Sequence, residues 1–325
     1  MENLNLVVSS SPHIHTNETV RRTMLDVIIA LIPACLASIL FFGMRSLAII
    51  VTAVAACMIS EWAFQKITHQ ETTVSDLSAA VTGVLLGLNM PSTIPLWMLV
   101  IGSVFSIVIV KQLYGGLGKN FLNPAMAGRC FMLIAWAGAM TTWGGNVFVD
   151  ATTGATPLEI MKSGAEGTLP TLFNAFIGIE HGSIGEVSAL CLLIGFIYLL
   201  VRRVVSIRIP AVYILTFAVF TYFFGADATG HSNWYFTLMQ ILTGGILLGA
   251  FFMATDYVTT PTTIKGQYIF AFGCGLLTFV IRRFGGYPEG ASYSILLMNV
   301  ASPLIETLTA PKPFGAKGGK GNEKQ

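Results

Sequence analysis

The stretch Asp150-Ala151-Thr152-Thr153-Gly154-Ala155-Thr156 fits the pattern D-x-x-[ST]-G-A-[ST]. Its chemistry lies in the last hydroxyl. Gly154 and Ala155 leave room beside Thr156 for the bulky active site of another enzyme. An exposed, mobile loop would present that hydroxyl for modification. Arg129 is a second candidate, because it sits inside an apolar stretch. A charge there is costly and is a functional candidate by default. It pairs with a bound group or a carboxylate, or else it snorkels or neutralises a helix end. Asn123 precedes Pro124, and proline suits the first helical turn. Asn123 therefore reads as an N-cap, or else as a polar group facing a ligand.

These residues need elements to hold them, and the composition says which kind. Of 325 residues, 54% are hydrophobic and only 10% are charged. A soluble domain carries about 25% charged residues, so the chain reads as all-α and integral to a membrane. A net charge of +2, with no basic run interleaved with aromatics, excludes a nucleic-acid partner. No basic n-region leads into a short apolar stretch, so no cleaved signal peptide is expected. Apolar stretches long enough to span a bilayer fall at about 24–42, 46–64, 76–90, 94–112, 123–142, 187–201, 209–225, 234–253, 266–281 and 290–308. Ten crossings return both termini to one side.

Charge orients them. With the N-terminus inside, only Arg45, Lys162, Arg282 and Arg283 fall on outer loops. Arg129 lies within a span, and the other Lys and Arg residues fall on inner segments. Both termini are therefore expected in the cytoplasm. The expected organisation is a cytoplasmic arm (1–22), a five-helix membrane unit (23–142), an external loop with Thr156 (143–186), a second five-helix unit (187–310) and a cytoplasmic tail (311–325). The loop carries Asp150, Glu159, Glu166, Glu180 and Glu186 against the single Lys162. Loops of this length are usually functional or disordered.

The two membrane units share a pattern. Gly83-Val84-Leu85-Leu86-Gly87 matches Gly245-Ile246-Leu247-Leu248-Gly249, and Tyr114-Gly115-Gly116-Leu117-Gly118 matches Phe284-Gly285-Gly286-Tyr287-Pro288, in the same order. Two tandem units of five spans insert with opposite orientations, which is the inverted repeat common in transporters. The third and eighth spans then occupy matching positions. They run into Asn89-Met90-Pro91-Ser92 and Met253-Ala254-Thr255-Asp256. Interrupted helices at corresponding positions point to a central site, and their free carbonyls can replace a cation's hydration shell. Asn89, Thr255 and Asp256 are the candidate ion-path residues. Asp256 alternatively caps only the turn that follows it.

The Asp150–Thr156 pattern resembles the site where a flavin transferase attaches FMN through its phosphate to a threonine. The resemblance extends further. Ser11-Pro12-His13, Met24-Leu25-Asp26-Val27-Ile28-Ile29-Ala30-Leu31-Ile32-Pro33-Ala34, Gly115-Gly116-Leu117-Gly118-Lys119-Asn120-Phe121-Leu122-Asn123-Pro124-Ala125, Gly182-Ser183-Ile184-Gly185-Glu186, Met253-Ala254-Thr255-Asp256-Tyr257-Val258-Thr259-Thr260-Pro261 and Gly285-Gly286-Tyr287-Pro288-Glu289-Gly290 resemble the family of the Rnf complex D subunit. That family includes the related B subunit of the sodium-pumping NADH:quinone oxidoreductase. Tyr257 stands where the family usually has proline. The short N-terminal arm favours the Rnf subunit over the B subunit.

The resemblance implies a urea-transporter-like pair of inverted five-helix repeats and a redox subunit of an ion-translocating complex. That complex passes electrons between ferredoxin and NAD and moves sodium ions or protons. FMN would be held covalently at Thr156, with Asp150, Thr153, Gly154 and Ala155 around it and Asn123 and Arg129 as polar groups facing a flavin. A non-covalent riboflavin would be a second cofactor. The implied partners are the other subunits, a flavin transferase and the bilayer, and the implied location is the cytoplasmic (inner) membrane. A non-redox channel or transporter on the same repeat is the competing class, and it has no need of the Asp150–Thr156 pattern.

The remaining reactive types carry less. Cys35, Cys57, Cys130, Cys191 and Cys274 each lie in apolar runs and form no CxxC pair. They read as small buried hydrophobes, with an intersubunit metal ligand as the alternative. The five histidines are scattered without metal-ligand spacing. Trp97, Trp136, Trp143 and Trp234 fall near span ends, as an interfacial belt requires.

Overall fold

A computed structural model describes residues 19–145, 156–163, 169–186, 188–225, 232–287 and 289–311. Among them the chain is helical, with no strand. α1 (Val20–Phe42) starts where the Thr19 side chain accepts from the Arg22 N–H at 3.3 Å. It ends at Gly43, whose φ of 71° is a left-handed turn directly into α2 (Met44–Ile67). α3 (Ser78–Leu88) and α4 (Leu96–Val104) follow, and α4 continues as a π-helical stretch, Phe105–Gln112. α5 (Pro124–Ala135) and α6 (Ala137–Met140) complete the first set. α7 (Pro157–Ser163) and α8 (Leu172–Ile177) are short. The second set is α9 (Ala189–Val201), α10 (Arg208–Phe224), α11 (Asn233–Leu242), α12 (Ile246–Leu248, continuing as a π-helical turn through Met253), α13 (Ile264–Phe284) and α14 (Ala291–Thr309).

α1 shows why this is a membrane protein. One face buries Asp26, Ala30, Leu31, Ala34, Ala37 and Ser38. The opposite face exposes Leu25, Ile29, Ile32, Leu36 and Leu40. A helix in water would put polar residues there, so that surface faces lipid. Among the described residues three helices, α1, α2 and α13, are long and apolar enough to cross a membrane by themselves, and the α11–α12 pair makes a fourth if its two parts count as one span.

Every predicted span coincides with helix, but several of these helices are too short for a full crossing. α3 has 11 residues, all buried. The fifth stretch breaks at Trp136, leaving α5 with 12 residues. The eighth is bent by 60° between α11 and α12. Hydropathy alone cannot tell a helix buried in protein from one bathed in lipid, which is why these short helices read as ordinary crossings.

Packing relates the two sets. α2 lies against both α3 and α4, as α10 lies against α11 and α13, and α5 adjoins α4 as α14 adjoins α13. The sets join through α1 with α9 and α5 with α14. Asp26 on α1 accepts from Tyr198 at 2.9 Å and from Arg202 at 3.1 Å, both at the end of α9. Cys57, Cys130 and Cys274 are buried thiols, and Cys35 and Cys191 are half-buried.

Candidate functional site

α5 carries the central charge. Asn123 is its N-cap, its Oδ1 accepting from the Ala125 N–H at 3.1 Å and the Met126 N–H at 3.3 Å. Pro124 follows at the first helical position, where its missing N–H is no loss. The Asn123 Nδ2 donates to the Met253 carbonyl at 3.3 Å, tying α5 to the end of the π-helical turn. Two turns on, Arg129 is 4% exposed. Its guanidinium donates to the Glu186 carboxylate at 2.6 Å, to the Glu289 carboxylate, and to the Asn89 side-chain oxygen. Two carboxylates meet one guanidinium, Glu186 buried and Glu289 partly so. Removing one member of such a cluster leaves an uncompensated buried charge.

Backbone geometry builds this hub. The C-terminal carbonyls of α3 need partners beyond the helix. Ile184 N–H donates to the Met90 carbonyl at 3.0 Å, and Gly185 N–H to the Leu88 carbonyl at 2.8 Å. A Cβ at Gly185 would collide with Leu88, so only glycine brings this segment close enough to aim Glu186 at Arg129. Gly245, in the break between α11 and α12, donates its N–H to Glu289 at 2.9 Å. A Cβ at Gly245 would strike the carboxylates of both Glu186 and Glu289. The matching stretches seen in the sequence also meet here, since Asn89 Nδ2 lies 3.7 Å from the Met253 sulfur.

Thr156 stands at the start of α7 and is 7% exposed. Its Oγ accepts from the Glu159 N–H at 3.3 Å. This corrects the expectation of an exposed hydroxyl: the side chain is turned inward to cap α7, and Pro157 and Leu158 beside it are buried too. Thr156 faces a cavity of about 30 Å³ shared with Trp143, His181, Thr243, Glu186 and Glu289. The carboxylates that hold Arg129 thus also border the Thr156 cavity. Asp150, Thr153, Gly154 and Ala155 lie outside the described residues. Among the tryptophans, Trp143 lines this cavity rather than a lipid belt, whereas Trp97 and Trp234 are more than half exposed.

A second cavity, of about 90 Å³, opens at the other end of α9. Lys111, Ser78, Asn120, Asn123, Thr255 and Asp256 contribute to its wall. Asp256 caps its own turn, accepting from the Val258 N–H and the Thr259 hydroxyl at 3.3 Å each. It therefore has both the local role and the cavity position. Burial pushes its carboxyl above the ordinary range. Thr255 donates its hydroxyl to the Phe251 carbonyl at 2.9 Å.

The sequence reading did not find the ion pairs Asp26–Arg202 and Glu61–Lys111, and the second is fully buried. Lys111 counted as an inner-loop cation, yet it is 1% exposed and donates to Glu61 at 2.8 Å and to the Ser78 hydroxyl at 2.6 Å. Thr73 donates to the same Glu61 side chain at 3.1 Å. A lysine and a glutamate each embedded in an apolar run were the available signal. Arg282, counted on an outer loop, is likewise a buried residue of α13.

Comparisons with known proteins extend over nearly the whole chain. The model of the NQR2, RnfD, RnfE family matches residues 7–315. The D subunit of the Na(+)-translocating ferredoxin:NAD(+) oxidoreductase complex of Acetobacterium woodii is 49% identical over 317 residues, covering 97% of each chain. The D subunit of the proton-translocating ferredoxin:NAD(+) oxidoreductase complex of Clostridium ljungdahlii is 44% identical, covering 95% of this chain and 96% of its own. The D subunit of the ion-translocating oxidoreductase complex of Marinobacter nauticus is 37% identical, covering 95% of each. This chain belongs to the NQR2, RnfD, RnfE family.

Proposed function

We propose that this chain is the covalently flavinylated membrane subunit of a complex that couples ferredoxin:NAD electron transfer to ion transport. Relatives named as D subunits of such complexes support the complex and the reaction. Their names differ in the ion, so the cargo is a sodium ion or a proton. The other subunits of the complex and a flavin transferase are the partners.

The observation that carries the flavin is the placement of Thr156. It ends the D-x-x-[ST]-G-A-[ST] stretch, and it borders a cavity with an aromatic wall, Trp143, and the charged hub around Arg129. FMN joined through its phosphate to the Thr156 Oγ would supply one- and two-electron transfer. The cavity of about 30 Å³ is far smaller than a flavin ring, so the hydroxyl must turn outward from its α7 cap when it is modified. Asp150, Thr153, Gly154 and Ala155 form the recognition stretch for the transferase. Asn123 and Arg129 do not touch Thr156. They hold the protein side of the hub and act on the flavin only through it.

The topology proposed is ten crossings in two inverted five-helix repeats, with both termini cytoplasmic and the segment with Thr156 external. Matched packing of the two helix sets supports the repeat, and the lysine and arginine bias supports the orientation. Asn89, Thr255 and Asp256 then mark a cation path at the repeat interface, with Asp256 at its cytoplasmic mouth. The test is the Thr156→Ala variant, produced with a flavin transferase and run on a denaturing gel under ultraviolet light. The native band should fluoresce and the variant band should be dark. A fluorescent variant band, or a dark native one, refutes the assignment.

A further inference from the structure

A third cavity, of about 40 Å³, lies where the ends of α10 and α13 meet α7 and α11. Three cations line it, Lys162, Arg282 and Arg283, and among the described residues no carboxylate does. Arg282 is 6% exposed. Its Nη1 donates to the Gln240 carbonyl at 2.6 Å and the Gln240 side-chain oxygen at 2.8 Å, and its Nη2 to the Thr243 carbonyl at 3.5 Å. All three acceptors are uncharged. The Phe217 ring lies 5.2 Å below the guanidinium. Among the described residues the Arg282 Nε has no partner, and neither does the hydroxyl of Thr221, which is 3% exposed and lines the same cavity. Burial and the neighbouring Arg282 hold the Lys162 ammonium below its ordinary value.

A buried guanidinium bonded only to neutral oxygens among the described residues, with a donor to spare and two further cations beside it, has no anion in direct contact, and Glu289 and Glu186 offset its charge only from a distance. The space holds about three waters, which matches one phosphate group. Phe217 and Phe279 supply apolar wall. Outside, the same helix ends expose Phe223, Phe224 and Phe284, each more than 60% accessible. A free phosphate has no use for that apolar surface, whereas acyl chains do. We propose that this cavity takes the phosphodiester headgroup of an anionic membrane phospholipid, with Arg282 and Thr221 as its inner donors and Lys162 and Arg283 at its rim. Basic pockets between membrane helices bind anionic headgroups on the cytoplasmic side, and by the proposed topology this one would take a lipid of the outer leaflet.

The test uses the full chain with the subunits that co-purify, stripped of lipid in a neutral detergent. Native mass spectrometry would follow retention of added phosphatidylglycerol and of phosphatidylcholine. Thermal unfolding would be followed with each lipid and with inorganic phosphate alone. Phosphatidylglycerol should be retained and should raise the unfolding temperature, and the other two should not. Retention should fall about tenfold or more in Arg282→Gln, as the loss of a charge-assisted hydrogen bond predicts. It should fall less in Lys162→Gln and Thr221→Val, which keep the Arg282–Gln240 link and report on the site if Arg282→Gln does not assemble. Retention should persist in Thr156→Ala, which separates this site from the flavin assignment. Equal retention of the two lipids, or unchanged retention in all three cavity variants, overturns the proposal. An equal thermal shift with inorganic phosphate overturns the lipid. Stronger retention in Thr156→Ala than in the flavinylated native protein would make the cavity's own anion the flavin phosphoester instead.

Discussion

The guanidinium of Arg129 lies 2.6 Å from the carboxylate of Glu186, with both side chains at most 5% exposed. This contact joins α5, in the first helix set, to the segment that leads into the second. Glu289, from the start of α14, closes the same cluster. Arg129→Gln would leave the buried Glu186 carboxylate facing the partly buried Glu289 carboxylate without their shared cation. Breaking a buried pair costs about 3–5 kcal/mol, a large share of a protein's net stability. The variant should therefore unfold at a clearly lower temperature in detergent or fail to accumulate. Adding Glu186→Gln should recover part of the loss. An Arg129→Gln protein as stable as the native one would show that the cluster is not a structural keystone.

Lys111 and Glu61 form a separate buried pair. Lys111→Met alone strands the glutamate, and Glu61→Leu alone strands the lysine. Each should destabilise the fold by about 3–5 kcal/mol and so lower the unfolding temperature strongly. The double variant replaces both charges with apolar groups of similar volume and should sit closer to the native protein than either single one. Single variants with native stability would contradict the ion pair.

Topology is open to chemical labelling. A cysteine introduced by Ser163→Cys should react with an impermeant thiol reagent added outside intact cells. One introduced by Gly319→Cys should react only after the membrane is opened. Ser163 is exposed at the end of α7, so a failure to label would reflect its side of the membrane and not burial. The reverse pattern would overturn the charge-based orientation and with it the external modification of Thr156.

Asp256→Asn keeps the shape of the side chain and most of its capping bonds while removing its charge. If the cavity beside Asp256 is the mouth of a cation path, the reconstituted variant should turn over more slowly or depend less on ion concentration. Thr156 should remain flavinylated. Normal pumping with normal ion dependence would reduce Asp256 to the cap of its own turn.

Some of this was legible in the residues. Asn123 before Pro124 announced the N-cap, Arg129 in an apolar stretch announced a buried partner, and the two interrupted stretches at Asn89 and Met253 do touch. The partners of Arg129 were not legible, because Glu186 and Glu289 are 57 and 160 residues away. Local patterns carry no information about such pairings. The Lys111–Glu61 pair, 50 residues apart, was hidden for the same reason, and the orientation rule absorbed the lysine as a loop charge. Helix length failed at α3 and α5, where apolar composition reflects burial in protein. The burial of Thr156 was not legible, because a loop motif says nothing about whether its side chain also caps a helix.

The measurement that bears most directly on the account is mass spectrometry of the tryptic peptide containing Thr156, from protein made together with a flavin transferase. The account predicts a peptide heavier by one FMN residue, with fragmentation placing the added mass on Thr156. An unmodified Thr156 peptide under those conditions, or the added mass on another residue, would contradict it.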